Sequence, residues 1–190
     1  MSTRAKVVAL RELQRDVETC TRCPFLKDRT KPVFGEGDPD AQLVFVGEAP
    51  GREEDLQGRP FVGAAGQLLT KMIEAMGFTR DAVYICNVVK SRPPGNRTPL
   101  PEEVEICKPY LEKQLAIIRP RVICALGSVA AKALLGPDIA ITQVRGHVLD
   151  YEGTALVPTF HPAYLLRNPD AKKLVWQDLK RVKQVLEKLA

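Results

Sequence analysis

The sequence feature that most constrains the fold is an alternation of short apolar segments with longer amphipathic ones. Four segments of strand length are almost wholly apolar, and stretches with helical spacing of their apolar residues separate and flank them. This alternation predicts an α/β fold, a three-layer α/β/α sandwich with a central, mostly parallel four-stranded sheet. The predicted strands are residues 42–47, 82–89, 122–126 and 155–160, and the predicted helices are 7–18, 64–76, 102–118, 128–135 and 170–189.

Length and composition limit the class of protein. The 190 residues suit one domain over 1–190, and no apolar run approaches the roughly 18–20 residues that span a bilayer. The first ten residues lack the pattern of a secretion signal, so we expect a cytoplasmic, nucleoid-associated protein. The net charge of +5 is compatible with a nucleic-acid partner. Nothing in the sequence indicates an obligate dimer, and we expect a monomer.

Ligands on mostly parallel sheets bind beyond the carboxyl ends of the strands, which directs attention to the loops there. The loop 47–55 is rich in glycine and acidic residues, and it leads to a second glycine-rich segment, 58–63. Glycine lets backbone amides approach a ligand closely, although a plain strand-to-helix turn with solvated acids explains the loop equally well. His161 directly follows the fourth strand, and this position favours a functional over a structural role.

Two further features lie at the end of the second strand. Asn87 is a polar amide in an otherwise apolar strand, so its side chain must find hydrogen-bond partners. It either bridges a bulge or points from the strand end into a pocket. The loop 90–97 is basic and rich in proline, which suits phosphate binding, packing over a metal cluster or a solvated connection.

The five cysteines do not indicate a disulfide framework, because an odd number cannot all pair internally. Cys20 and Cys23 form a C-x-x-C motif after the first helix, and Cys107 lies in a later helix. Zinc, an iron–sulfur cluster and a redox pair are all compatible with such a motif. The redox pair is disfavoured because the motif does not open a helix after a strand. Cys86 and Cys124 lie inside predicted strands, where a buried apolar role is the default.

Five segments carry a more specific signal when they are read in order: GEAPGREED (47–55), GRPFVGAAGQLL (58–69), YICNVVK (84–90), RPPGNRTPLPEE (92–103) and HPAYLLRNP (161–169). Together they resemble the family-four uracil-DNA glycosylases, the bacterial and archaeal iron–sulfur branch of the uracil-DNA glycosylase superfamily. The resemblance covers nearly the whole chain. It implies a DNA-repair enzyme that hydrolyses the N-glycosidic bond of deoxyuridine in single- and double-stranded DNA.

The resemblance also implies a base-binding site. Phe61 would stack on the extruded uracil, and Asn87 would hydrogen-bond its edge. His161 would lie near the uracil O2, and Glu54 matches an acidic residue implicated in catalysis. The loop that shapes the uracil pocket would contain Gly47, Glu48, Ala49 and Pro50.

A DNA-binding loop is implied by the segment after His161. A base inside a duplex must be extruded before an enzyme can reach it, and an apolar side chain can fill the vacated stack. Either Leu165 or Leu166 would be this wedge, and Tyr164 and Arg167 would complete the loop that enters the minor groove.

The resemblance further implies a structural 4Fe–4S cluster. Cys20, Cys23 and Cys107 match three ligands, but Ser91 stands where the family normally has its fourth cysteine. We expect a cluster with Ser91 or a non-protein ligand at the fourth iron. Cys86 is a further candidate, and an incomplete cluster is the remaining alternative.

Two other functions compete with uracil release. One is a related glycosylase of broader scope, acting on mismatched thymine or deaminated purines. The other is a non-catalytic DNA-binding protein that holds zinc on its cysteines. A covalent, DNA-trapping relative is disfavoured because no basic, histidine-bearing loop is inserted between Gly95 and Glu103.

Overall fold

The computed structural model of the chain describes residues 1–25, 27 and 29–189. These residues form a single central sheet with helices on both faces. The strands are β1 (Glu36–Gly37), β2 (Leu43–Gly47), β3 (Tyr84–Asn87), β4 (Val122–Leu126), β5 (Leu149–Tyr151) and β6 (Thr154–Thr159). The helices are α1 (Thr3–Glu18), α2 (Arg52–Gln57), α3 (Ala64–Ala75), α4 (Pro101–Ile118), α5 (Ser128–Leu135), α6 (Ile141–Val144), α7 (Pro162–Arg167) and α8 (Lys172–Leu189).

The sheet has six strands in the order β1-β3-β2-β4-β6-β5. The four predicted strands are its centre, and all of them run parallel. The prediction of a four-stranded sheet was wrong, because β1 and β5 add antiparallel strands at the two edges. These edge strands have only two and three residues, too few for an alternation of apolar and polar residues to be recognised.

Apolar residues on the two faces of the sheet form two separate cores, which confirms the three-layer architecture. In β2, Val44 and Val46 face one core, while Leu43 and Phe45 face the other. The first core is completed by α1, α4 and α5, and the second by α3 and α8. Because side chains alternate between the faces of a strand, a run of consecutive apolar residues can serve both cores.

The long outer helices bury one apolar face each. In α8 the buried apolar residues are Val175, Leu179 and Val182, spaced for one side of a helix. Within the ranges that the structure describes, no helix combines the length and apolar character needed to cross a membrane.

The parallel strands end at the same edge of the sheet, and this determines where functional side chains meet. β2 ends at Gly47 and leads to α2, whereas β3 ends at Asn87 and leads to the proline-rich loop before α4. β6 ends at Thr159, two residues before His161, which is the N-cap of α7. Three segments that are distant in sequence therefore meet at this edge.

Candidate active site

A cavity of about 270 Å³ opens at this edge of the sheet. This volume lies just below the range of roughly 300–1,000 Å³ that is typical of small-molecule sites. Its lining includes most of the base-binding residues expected from the sequence: Glu48, Ala49, Pro50, Glu54, Phe61, Asn87 and His161. Residues not expected there also contribute: Gly51, Ala65, Pro93, Asn96, Arg97 and Ala163.

Asn87 is the most informative polar group in the cavity wall. Its side chain is buried, with 2% of the residue exposed. Among the described residues, its Oδ1 is the one buried side-chain nitrogen or oxygen that lacks a hydrogen-bond partner. An unpaired buried acceptor is costly, so this atom indicates that a ligand supplies the missing donor.

Gly47 does not line the cavity but lies directly behind it. A Cβ atom at this position would overlap both Asn87 Oδ1 and the ring of Phe61. The absence of a side chain therefore allows Asn87 and Phe61 to approach each other closely.

Phe61 is held in a strained backbone conformation with φ of +51°. This conformation costs about 1–2 kcal/mol for a residue with a side chain. Arg80 stabilises it, because its guanidinium donates to the carbonyls of Phe61, at 2.9 Å, and of Pro60. Glu36 lies 2.9 Å from Arg80 and completes this support. No sequence motif indicated this role of Arg80, which lies outside the cavity lining.

His161 is oriented by the helix that it caps. Its Nδ1 accepts a hydrogen bond from the backbone N–H of Ala163 at 3.1 Å. Burial, with a smaller contribution from Arg167, lowers the pKa of His161 to about 4, so the imidazole is neutral at pH 7. With Nδ1 accepting, the single ring proton lies on Nε2, where it is available to a ligand.

Glu54 uses its carboxylate to hold the backbone around the cavity. Its Oε1 accepts from the N–H groups of Val62 at 2.9 Å and Gly63 at 2.8 Å. Its Oε2 accepts from the N–H of Gly51 at 3.2 Å, which closes the start of α2. Glu54 thus joins the loop before α2 to the loop that carries Phe61.

Glu48, unlike Glu54, has a carboxyl group without backbone hydrogen-bond donors among the described residues. No hydrogen bond to its carboxyl group is found in the part of the chain that the structure describes. Burial raises the pKa of Glu48, and no charge among the described residues opposes this effect. The cavity therefore contains two acidic residues with different tasks, one bonded to the backbone and one available to a ligand.

The proline-rich loop forms the remaining wall. Arg97 contributes its side chain there and makes two hydrogen bonds, at 2.8 and 2.7 Å, to the buried carboxylate of Glu103 at the start of α4. This bidentate pair ties the loop to the helix. The sequence had marked the loop as basic and rigid, but not as part of the cavity.

Comparison with known proteins gives the family of the chain. The model of the Uracil DNA glycosylase superfamily matches residues 34–180. The chain belongs to the uracil-DNA glycosylase superfamily. A type-4 uracil-DNA glycosylase of Thermotoga maritima is 47% identical over 99% of this chain and 99% of its own length. A second, from Sulfurisphaera tokodaii, is 45% identical over 93% of this chain and 84% of its own length. A third, from Archaeoglobus fulgidus, is 43% identical over 95% of this chain and 94% of its own length.

The family relationship predicted from the sequence is thereby confirmed. In this superfamily member, the loop after His161 forms α7 beside the cavity. Leu166 is 48% exposed and Tyr164 is 37% exposed, and Arg167 is exposed as well. Leu165 is only 1% exposed and packs in the second core. The prediction that Leu165 belongs to the DNA-binding surface is therefore corrected, because its side chain points into the protein.

The thiols of this superfamily member fall into two groups. Cys86 and Cys124 are fully buried in strands β3 and β4, as expected for apolar packing. Cys20, Cys23 and Cys107 lie around the start of the proline-rich loop. Burial raises the pKa of Cys23, the nearby thiol of Cys107 adds to this rise, and a hydrogen bond with Ser91 opposes it. Burial also raises the pKa of Cys107, where Cys20 contributes in the same direction.

These mutual effects on pKa arise because three thiols and one hydroxyl lie close to one another. Ser91 is 2% exposed, and its Oγ accepts from Arg29 at 3.2 Å. Within the described ranges, no three His, Cys, Asp or Glu side chains are arranged to hold a single metal ion. Three thiols and one hydroxyl are donors that an iron–sulfur cluster can use, since a cluster binds each ligand to a different iron and so spaces its ligands more widely than a single ion does.

Proposed function

We propose that this protein is a uracil-DNA glycosylase of base excision repair, which hydrolyses the N-glycosidic bond of deoxyuridine and leaves an abasic site. The unpaired, buried Oδ1 of Asn87 at a cavity of about 270 Å³ is the observation that carries the proposal. The type-4 relatives, which cover nearly the whole chain, support it. We propose that residues 1–190 act as one domain, on single- and double-stranded DNA in the cytoplasm.

Base recognition follows from the amide of Asn87. Its Oδ1 would accept from N3–H of uracil, and its Nδ2 would donate to O4. Cytosine presents an acceptor at N3 and a donor at the 4-position, so both contacts would be lost and buried polar groups would remain unpaired. Phe61, 5% exposed, would present its ring to the base and contribute roughly 1–3 kcal/mol of stacking.

Bond cleavage requires charge stabilisation at two places. As the bond between C1′ and N1 breaks, its electron pair moves into the uracil ring, and the sugar becomes oxocarbenium-like. His161, neutral and protonated on Nε2, would donate a hydrogen bond to O2 as negative charge develops there. Water then adds to C1′ and loses a proton.

We assign Glu48 as the base that accepts the proton from that water. Its carboxyl group lines the cavity, and the pKa raised by burial makes its ionised form a stronger base than an ordinary carboxylate. We assign Glu54, expected from the sequence to be catalytic, a positioning role. Its bonds to Gly51, Val62 and Gly63 occupy both of its oxygens.

DNA would approach the face that carries α7. Leu166, exposed at the end of the loop, would enter the stack that the base has left, while Arg167 would neutralise a phosphate. Extrusion of the base costs a few kcal/mol in a duplex and less in single-stranded DNA.

A cluster would be held by Cys20, Cys23 and Cys107, with Ser91 at the fourth position. When bound, it would supply a structural cross-link between the segment after α1 and helix α4. Purified protein should then absorb visible light as iron–sulfur proteins do, and Ser91→Cys should keep that absorption. A colourless protein that contains zinc would contradict this part of the proposal.

The activity is tested with oligonucleotides that carry one deoxyuridine, thymidine, deoxycytidine or deoxyinosine at the same position. We expect uracil release under single-turnover conditions from single and double strands, with cytosine untouched. Removal of thymine or hypoxanthine at comparable rates would instead establish a broader glycosylase. Tight binding to every oligonucleotide without base release would contradict the proposal and favour a binding module.

A further inference from the structure

Lys90 is a buried lysine between the two regions described above. It follows β3, only three residues after Asn87, and 1% of it is exposed. Lysine side chains are rarely buried, because an ammonium group loses its hydration and must find replacement hydrogen bonds. The partners of Lys90 therefore indicate what the residue does.

The Nζ atom of Lys90 donates to two oxygens in the protein interior. One is the backbone carbonyl of Asn87, at 2.6 Å, and the other is Oε1 of Gln114, at 2.5 Å. Gln114 is itself fully buried in α4, and its Nε2 donates to the carbonyl of Phe34 at 2.9 Å and to the hydroxyl of Tyr84 at 3.3 Å. The end of β3 is thus tied to α4 through an amide whose own hydrogen bonds are satisfied.

The same residue also contacts the thiol region. The backbone of Lys90 lies next to the thiol of Cys107, where it opposes the rise in the pKa of that thiol, and Cys107 lies two turns before Gln114 on α4. Lys90 is therefore adjacent to α4 at two points, through its backbone near Cys107 and through its side chain at Gln114. The backbone carbonyl fixed by the ammonium belongs to the residue whose amide faces the cavity.

We propose that Lys90 is a positioning residue, which fixes Asn87 against helix α4 so that the Asn87 amide meets the uracil edge. This proposal rests on the proposed function and adds a role for a residue outside the cavity. Without the ammonium, the strand end would lose the bond that sets its distance from α4. Displacements of about 1 Å in a reacting complex lower rates by as much as a hundredfold.

A double-mutant cycle with Asn87 distinguishes positioning from general stabilisation. Lys90→Met keeps the length and apolar stem of the side chain but removes the ammonium. We expect it to lower single-turnover uracil release by about tenfold to a hundredfold. In an Asn87→Ala background the same substitution should change the rate by less than about twofold, because there is no amide left to position. Equal effects in both backgrounds would overturn the proposal.

A second variant and a control cover the case in which Lys90→Met does not fold. Gln114→Leu removes the other oxygen that Lys90 Nζ contacts and should show the same dependence on Asn87. Lys113→Met removes an exposed lysine from the same helix and should leave the rate unchanged in either background. Gln114→Leu that slows release equally with and without the Asn87 amide would overturn the proposal.

Binding provides a readout that loss of stability would not reproduce. Affinity for an oligonucleotide with an abasic analogue, which offers no base to Asn87, should be the same for Lys90→Met and the unmodified protein. Weakened binding to abasic DNA would assign Lys90 to the fold of the DNA surface and overturn its positioning role. If the unmodified protein releases no uracil, the proposed function itself is overturned. If it releases uracil normally but the effects of Lys90→Met and Asn87→Ala are additive, only the role of Lys90 is overturned.

Discussion

The rings of Phe61 and His161 lie against each other with centroids 5.6 Å apart and planes inclined by 30°. Phe61 lies between α2 and α3 and His161 caps α7, so the two side chains are separated by a hundred positions of sequence. Their contact fixes the face on which a base can stack relative to the imidazole that would meet its O2. In the proposed reaction, binding the ring and stabilising its charge would therefore both depend on this one contact.

Because the imidazole of His161 is neutral in the folded protein, we expect the free energy of unfolding to depend on pH. Its pKa of about 4 in the folded protein lies below the ordinary 6.5. Between these values the unfolded chain binds a proton that the folded chain does not. The contribution of His161 to the free energy of unfolding should therefore fall as the pH is lowered from 6.5 to 4. The loss attributable to His161 is at most about 3 kcal/mol, and urea titrations across this range measure it.

One substitution isolates this effect. His161→Gln removes the titrating group and should weaken the dependence in this window. An unmodified protein whose stability changes from pH 6.5 to pH 4 in the same way as that of His161→Gln would show that His161 is not held neutral.

The two acidic residues of the cavity predict separable defects. Glu48→Gln should slow the chemical step and leave thermal stability nearly unchanged, because the carboxyl group supports no described hydrogen bond. Glu54→Gln should lower the free energy of unfolding by about 1–3 kcal/mol, because a charged acceptor of three backbone N–H groups is lost. Thermal melts and single-turnover kinetics on the same preparations separate the defects. The reverse pattern would return the catalytic role to Glu54.

Support of the strained Phe61 backbone predicts a role for Arg80. Arg80→Met should cost about 1–3 kcal/mol of stability and slow uracil release, since the carbonyls of Pro60 and Phe61 lose their donor. Arg59 provides a matched control, because it also pairs with Glu36, but its side chain is 57% exposed. Arg59→Met should change stability by less than about 1 kcal/mol. Equal losses of thermal stability in Arg80→Met and Arg59→Met would contradict the role of Arg80 in supporting the Phe61 backbone.

The neighbouring leucines of α7 predict opposite outcomes. Leu166→Ala should slow uracil release from double-stranded DNA more than from single-stranded DNA, with stability retained, because its side chain is exposed. Leu165→Ala should destabilise the fold by about 2–5 kcal/mol, because it empties a place in the second core. Melting curves and uracil-release rates on both substrates test these outcomes. If Leu166→Ala slows release equally from single- and double-stranded DNA, Leu166 is not the wedge.

The sequence predicted the parts of this molecule that depend on regular patterns. The four parallel strands were recognisable because each is a continuous apolar segment. His161 was singled out because it follows such a segment, and Asn87 because it is a polar residue inside one. Leu165 could not be distinguished from Leu166, since α7 has only six residues and no periodicity develops. The roles of Glu54 and Arg80 depend on backbone groups brought near by folding, and residue type alone does not reveal such partners.

The shortness of β1 and β5 has a consequence for behaviour at high concentration. An outer strand exposes unpaired N–H and C=O groups that can recruit a strand from another molecule. Here the outer strands have two and three residues, so each offers few such groups, and the longer apolar strands are enclosed between them. We expect the sheet to be a poor template for intermolecular strand addition, which favours a protein that resists aggregation when concentrated.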